Sequence, residues 1–140
     1  MNDFSRLKNM SDEYLEQLFS EIKEIGQFNT DLIKYLEDTF PEQGEKIIEV
    51  LKRKVMKYIY LPSGRVIWMI KGEKQKRYLL YPKIFCSCQD FYKNTVIKKT
   101  RPYCKHIIAQ IISEALQIFI EKEKEDEKFN MLIKRLKSEF

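Results

Sequence analysis

Long apolar runs are missing from this chain of 140 residues. None approaches the roughly 18 apolar residues of a membrane span. The first residues, MNDFSRLKNMSDEYLEQ, have neither the apolar core nor the small-residue cleavage site of a secretory signal. We therefore expect an intracellular protein, cytoplasmic in a prokaryote or nuclear in a eukaryote. Thiols stay reduced in these compartments, which favours metal binding or catalysis over a disulfide.

Sequence signatures of catalysis are also missing. The chain has four glycines and one histidine, and no Gly-rich phosphate loop can be found. The acids of the central segment are Glu49, Glu73 and Asp90, too few and too dispersed for a two-metal nuclease site. We expect a non-enzymatic protein with no small-molecule substrate. The composition, 44% hydrophobic and 34% charged, is that of an ordinary globular chain.

Charge is distributed unevenly along the chain. Residues 1–45 carry 4 basic and 11 acidic side chains, residues 46–106 carry 16 and 3, and residues 107–140 carry 6 and 7. A strongly electropositive middle segment can attract a polyanion by neutralising phosphates and releasing counterions. The alternative is a solvated surface in a lysine-rich protein.

Residues 1–53 are predicted to be a helical N-terminal region. Apolar residues at helical spacing indicate a helix over 11–25, with Ser11 as a plausible N-cap and Gly26 as its stop. A second helix is expected from a Thr30 cap to Phe40, and a third helical piece around 47–51.

The pattern then changes to period two, which predicts a small antiparallel sheet within residues 54–120. KVMKYIYL and RVIWMIK flank Pro62-Ser63-Gly64, which indicates a hairpin, and KRYLLY after the turn at Gly72-Glu73 is a third strand closed by Pro82. Its aromatic side chains either form the core of the sheet or stack nucleobases.

Residues 121–140 are predicted to be a charged C-terminal helical extension. The octet EKEKEDEK, 121–128, is either an exposed stretch of one long helix or a loose joint between two helices. Apolar stripes lie on both terminal helices, and they either pack internally or dock a partner protein. Their members are Leu15, Leu18 and Ile22 near the front, and Phe129, Leu132 and Leu136 near the end.

All three cysteines and the only histidine fall within 21 residues, CSCQDFYKNTVIKKTRPYCKH. Cys86 and Cys88 are separated by the small Ser87, and Cys104 and His106 repeat that spacing. Thiolate sulfur and imidazole nitrogen are the ligands that Zn²⁺ prefers, in sets of four. The spacing predicts one structural zinc ion bound by these four side chains. For the two pairs to meet, the spacer between them must fold back; we expect it to begin as a helix and to return near Arg101-Pro102.

Three other uses of these residues stay open. A redox Cys-x-Cys pair would need neither of the last two ligands. A Cys/His nucleophile would need an oxyanion loop and an orienting group, and neither can be found in the sequence. The cysteines could also be small buried hydrophobes.

The segment resembles the SWIM zinc finger, in which Cys-x-Cys and Cys-x-His follow short strands and precede an apolar helix. The matching residues are Phe85-Cys86-Ser87-Cys88, Phe91, Cys104-Lys105-His106-Ile107-Ile108-Ala109 and the upstream turn Pro62-Ser63-Gly64-Arg65. The resemblance implies an α+β fold with N-terminal helices, a hairpin plus third strand, and a finger leading into a long C-terminal helix.

The layout of the whole chain is similar to the SWIM subunit of the Shu complex. That resemblance implies a role in homologous recombination and DNA repair, paired with a RecA-family recombinase paralogue. The basic side chains of the finger are expected to contact single-stranded or junction DNA, with Tyr92 or Tyr103 available for stacking. These basic residues are Lys93, Lys98, Lys99, Arg101 and Lys105. The alternative is a protein-docking adaptor with a purely structural zinc site.

Overall fold

The computed structural model of the protein describes residues 3–100 and 103–139, with side chains for residues 13–100 and 103–135. Its architecture is α+β, as predicted. Three N-terminal helices precede the sheet: α1 (Asp3–Ile25), α2 (Thr30–Thr39) and α3 (Gly44–Lys52).

The ends of the first two helices differ in part from the prediction. Helix α1 already includes Ser11, so this residue is not an N-cap. Gly26 does end α1, with a positive φ of 80° that favours glycine. The cap of α2 is Asn29 rather than Thr30, because the Asn29 side chain accepts a hydrogen bond from the Leu32 N–H at 3.0 Å.

A five-stranded sheet follows, in the order β4-β3-β2-β1-β5. The expected hairpin and third strand are confirmed, but the sheet has two further strands, and it is mixed because β5 runs parallel to β1. The strands are β1 (Val55–Leu61), β2 (Arg65–Lys71), β3 (Arg77–Tyr81), β4 (Phe85–Cys86) and β5 (Ile120–Glu125), with a 3₁₀ turn at Glu73–Gln75.

The ligand segment leads into a helix, as predicted, but the charged octet after that helix adopts neither of the two expected structures. Helix α4 (Lys105–Leu116) has 12 residues and ends at Gln117 in the left-handed region, so no single long helix forms. The first residues of the charged octet are strand β5, and helix α5 (Asp126–Glu139) begins only afterwards. The strand forms because the free edge of β1 offers a row of backbone hydrogen-bonding groups, a non-local partner that local charge patterning does not reveal.

The sheet has two covered faces, and most of its aromatic side chains belong to the core. On one, which we call the helix-side face, Val55, Trp68, Ile70 and Leu80 join the main core formed with α1–α4. On the other, the α5-side face, a smaller cluster packs against Phe129 and Leu132 of α5. That cluster comprises Met56, Tyr58, Tyr60, Ile67, Met69 and Leu79.

The apolar stripes of the terminal helices are used inside the chain. Leu15, Leu18 and Ile22 are fully buried in the main core, so they do not form a docking surface. Phe129 and Leu132 are half-buried against the α5-side cluster, and the Leu136 side chain lies outside the described part. Among the described helices, none is both long and apolar enough to span a membrane.

Candidate metal centre

The structure brings the four predicted ligands together. Cys86 ends β4, Cys88 follows two residues later, Cys104 is the N-cap of α4, and His106 lies in its first turn. The ligand atoms of all four lie within 4.8 Å of one another, and all four side chains are buried. A tetrahedral ion with Zn–S bonds of about 2.3 Å needs sulfur atoms roughly 3.8 Å apart, so a small contraction suffices.

Ser87 holds the Cys-x-Cys segment against β3. Its N–H donates to the Leu79 carbonyl at 3.0 Å, and its Oγ accepts from the Leu79 N–H at 2.9 Å. The Leu79 N–H therefore bonds to a side chain rather than to a backbone carbonyl, so the backbone hydrogen bonding between β3 and β4 ends here. The chain can then turn, which allows Cys86 and Cys88 to direct their sulfurs into one cluster.

The spacer folds back through one π-helical segment, Phe91–Ile97. The Phe91 N–H donates to the Cys88 sulfur at 3.3 Å, and the buried Phe91 ring packs edge-on against Phe85 at 5.7 Å between centroids. The expected return at Arg101-Pro102 lies outside the described residues.

Hydrogen bonds among the three thiols favour the thiolate form of Cys88. Hydrogen bonds with Cys104 and Cys86 are the main causes that lower the pKa of Cys88, and His106 and the Phe91 N–H add to them. Hydrogen bonds with Cys104 and Cys88, together with burial, raise the pKa of Cys86. Burial raises the pKa of Cys104 to about 12. A bound divalent cation would lower the pKa of all three thiols, since it binds thiolates and expels their protons.

The imidazole of His106 gives the clearest sign that the site suits a metal ion. Its Nδ1 is buried and has no hydrogen-bond partner within the described part of the chain, which is costly for a polar atom unless a ligand satisfies it. The Tyr78 ring packs over the imidazole at 4.4 Å between centroids and fixes its orientation. Sequence reasoning missed Tyr78 as a supporting residue; its signal is the strand alternation that puts it on the same face as Trp68 and Leu80.

The donor set also favours a metal site over the other uses considered for the cysteines. All three thiols are free, and a redox pair would need neither Cys104 nor His106, yet both lie in the cluster. Three sulfurs and one imidazole nitrogen form the complete ligand set of a structural zinc site, which leaves no open position for chemistry.

The predicted DNA-contacting residues lie in and around the spacer. Lys93 belongs to the π-helical segment, while Lys98 and Lys99 follow it, and all three are exposed. Lys105 is half-buried as the first residue of α4. Arg101 lies outside the described residues.

The two tyrosines considered for base stacking differ sharply in exposure. Tyr92 is 60% exposed, so its ring is available. Tyr103 is buried in the main core, which rules out its proposed stacking role.

Together, the fold and the cluster resemble those of a zinc finger, in which a hairpin leads into Cys-x-Cys and a helix begins with Cys-x-His. Comparison with curated proteins shows which zinc-finger proteins the chain is similar to. The chain is 33% identical over 66 residues to "Zinc finger SWIM domain-containing protein 7 homolog" of Dictyostelium discoideum. The aligned segment covers 46% of this chain and 42% of that protein. The first match therefore spans less than half of the relative's own length.

Two vertebrate relatives match over most of their length. Both are named "Zinc finger SWIM domain-containing protein 7". The Mus musculus protein is 24% identical over 112 residues, 79% of this chain and 74% of the relative. The Danio rerio protein is 22% identical over 132 residues, 94% of each. No family model and no solved structure matches the chain.

The predicted resemblance to SWIM zinc-finger proteins is thereby confirmed. None of these names carries an enzymatic activity. They do not mention the Shu complex either, so the similarity to its SWIM subunit stays a prediction.

Proposed function

We propose that this protein is a non-enzymatic accessory factor of homologous recombination and DNA repair that binds one Zn²⁺ and contacts DNA. In this role it pairs with a RecA-family recombinase paralogue. The observation that carries the proposal is the cluster of Cys86, Cys88, Cys104 and His106, because it ties a lysine-rich spacer to the start of a helix.

The proposed ion acts by organising the chain. Binding of a structural zinc ion contributes an apparent free energy of about 10–16 kcal/mol in small zinc modules. The described residues of the spacer between Cys88 and Cys104 include few buried side chains, namely Phe91, Thr95 and Tyr103, so such a contribution would fix a loop that has little core. A loop held in one conformation loses less entropy when it binds a partner.

The fixed spacer would present cations to DNA. Lys93, Lys98 and Lys99 are exposed, and the exposed ring of Tyr92 in the same segment offers a surface for a base. Phosphate contacts by lysines supply affinity without sequence preference, and a stacked base adds about 1–3 kcal/mol. We expect binding of single-stranded DNA that weakens steeply with salt.

A double substitution tests the DNA contact. In K93Q/K98Q, the logarithm of the binding constant for a fluorescent oligothymidylate should fall less steeply with log salt, by about 1.4, since each lost contact to a single strand removes about 0.7. Fluorescence anisotropy across a salt series measures this. The matched control K34Q/K46Q removes two exposed lysines from α2 and α3 and should keep the wild-type slope. Equal slopes in the two variants would contradict the proposed contact.

Exposed apolar side chains near the zinc ligands favour a second candidate, a protein-docking adaptor without DNA contact. Ile84 is 71% exposed just before the Cys-x-Cys segment, and Val96 and Ile97 are about half exposed in the spacer. Apolar side chains grouped on a surface often mark a partner site.

The adaptor is tested by capture of a purified RecA-family paralogue. I84S/I97S should lose capture, whereas Y81S, which removes another exposed ring from β3, should keep it. Loss of capture in I84S/I97S, together with no DNA binding by the wild type, would favour the adaptor over the DNA-contacting factor.

A further inference from the structure

Strand β5 sorts its charges between the two faces of the sheet. In a strand, successive side chains point to opposite faces, so the glutamates and lysines of IEKEKE separate. Glu121 forms an ion pair with Lys57 at 3.7 Å, and Lys57 lies over the Trp68 ring on the helix-side face. Lys122 and Lys124 are the register partners of Tyr58 and Tyr60, whose side chains lie on the α5-side face.

The other strands extend this bias. On the α5-side face the charged strand positions are Arg65, Lys71 and Arg77, in addition to the two lysines of β5. Five positions are therefore basic, and no acidic residue occupies a strand position of that face among the described residues. The acidic residues of β5 all belong to the opposite face.

Helix α5 closes over this face and leaves a cavity of about 140 Å³. Nine described residues line it; four of these are cations, namely Arg77, Lys124, Lys128 and Arg135, and none of the nine is acidic. The other five are Tyr58, Tyr60, Met69, Met131 and Leu132. Clefts with low-dielectric walls and one sign of charge concentrate ions of the opposite sign.

The cations of the cavity repel one another. The Lys124 ammonium lies 4.5 Å from the centroid of the Tyr58 ring, which draws it over the aromatic wall. Burial lowers the pKa of Lys124, and the charges of Arg77, Lys122, Lys128 and Arg135 lower it further. An anion bound between these groups would relieve the repulsion, so the cavity is better matched to a bound anion than to water.

Size and surroundings identify the class of anion. Pockets for drug-sized ligands enclose about 300–1,000 Å³, so 140 Å³ suits one compact group such as a phosphate. Cations continue beyond the cavity, with Lys71 paired across strands to Arg77 and the Arg65 guanidinium over the Phe129 ring of α5 at 4.8 Å. A row of cations on either side of a single-phosphate pocket matches a polymer of phosphates better than one free ion.

We propose that the cavity between α5 and the sheet binds a phosphate of a nucleic-acid backbone. This inference rests on the DNA contact proposed above, but it adds a second contact on the α5-side face, whereas the zinc cluster lies with the core of the helix-side face. A nucleic acid strand would then contact both the spacer lysines and the α5-side face.

The test replaces cations of the cavity without removing their stems. In R77Q/K124Q the slope of the logarithm of the oligothymidylate binding constant against log salt should become less steep by about 1.4, the value for two contacts to a single strand. K128Q changes a side chain that is already exposed, so it keeps the test valid should the double variant lose stability, and it should reduce the slope by about 0.7. The control is again K34Q/K46Q, with the wild-type slope expected.

The outcomes separate this inference from the proposed function. Reduced slopes in both K93Q/K98Q and R77Q/K124Q support both contacts. If the slope is reduced only in K93Q/K98Q, the cavity site is overturned and the spacer contact is supported. If the slope is reduced only in R77Q/K124Q, the spacer contact is overturned and the cavity site is supported. Absence of DNA binding by the wild type overturns both. Loss of pyrophosphate binding in R77Q/K124Q with an unchanged DNA slope would assign the cavity to another phosphate compound and overturn the nucleic-acid assignment.

Discussion

Replacement of one buried ligand, Cys104→Ser, should separate metal binding from core packing. Cys104 has no exposed surface, and serine differs from it by one atom, so the variant leaves almost no cavity. What it removes is a thiolate that the proposed zinc ion needs. A large loss of stability that a chelator reproduces in the wild type then reports on the metal rather than on side-chain volume or on the buried hydroxyl.

The magnitude follows from the proposed ligand set. If an apparent zinc-binding free energy of about 10–16 kcal/mol is shared by four ligands, one ligand accounts for about 2.5–4 kcal/mol. For a chain of this length the entropy of unfolding is about 0.3 kcal/mol per degree. We therefore expect the Tm of Cys104→Ser to fall by about 10 °C.

Thermal unfolding by circular dichroism and zinc content by mass spectrometry measure the two quantities together. Wild-type protein should carry one zinc ion per chain, and a chelator should lower its Tm at least as much as the substitution does. The control is Ile107→Val, next to His106 and fully buried, which should cost about 0.5–1.5 kcal/mol and retain the metal. Metal-free protein that melts within a few degrees of the untreated wild type would refute the reasoning.

Four further substitutions test the packing of the fold. Gly44→Ala would place a Cβ 2.9 Å from the Leu36 carbonyl oxygen. Because α2 packs closely on α3 here, the substitution should lower the free energy of unfolding in urea by about 1–3 kcal/mol. In Gly64→Ala the Cβ would meet nothing within 4 Å, so this variant should report only the strain of its positive φ. Asp126→Ala removes the acceptor of the Ser63 N–H and hydroxyl, at 3.1 and 2.6 Å, and should speed hydrogen exchange in α5 by weakening its attachment to the hairpin. Ile112→Ala, fully buried in α4, should cost about 2–5 kcal/mol without loss of zinc; unchanged stability would contradict its place in the core.

The elements around the metal cluster were predictable because their signals are local. Period-two runs around Pro62-Ser63-Gly64 specify a hairpin without reference to the rest of the chain, and the structure contains it. The four ligand candidates were the only cysteines and the only histidine present. Their convergence required only that the spacer fold back, which it does through the segment Phe91–Ile97.

The supporting contacts of the cluster could not be predicted in the same way. Ser87 was expected only to be small, yet it bonds twice to Leu79, because β4 pairs with β3. Tyr103 has an aromatic ring that could stack on a base, but this ring is buried in the main core. Both outcomes depend on which strand or helix lies next to the residue in space.

The order of cysteines and histidine along the chain determined the candidate metal centre, since a ligand set depends on residue type and short-range spacing. Only the tertiary structure decided that the charged octet 121–128 begins as a strand rather than as a helix. Alternating glutamate and lysine suits an exposed helix as well as a strand edge, and the unpaired edge of β1 selects the strand. That pairing gathers lysines on one face and glutamates on the other, so the phosphate-sized basic cavity exists only in the folded protein.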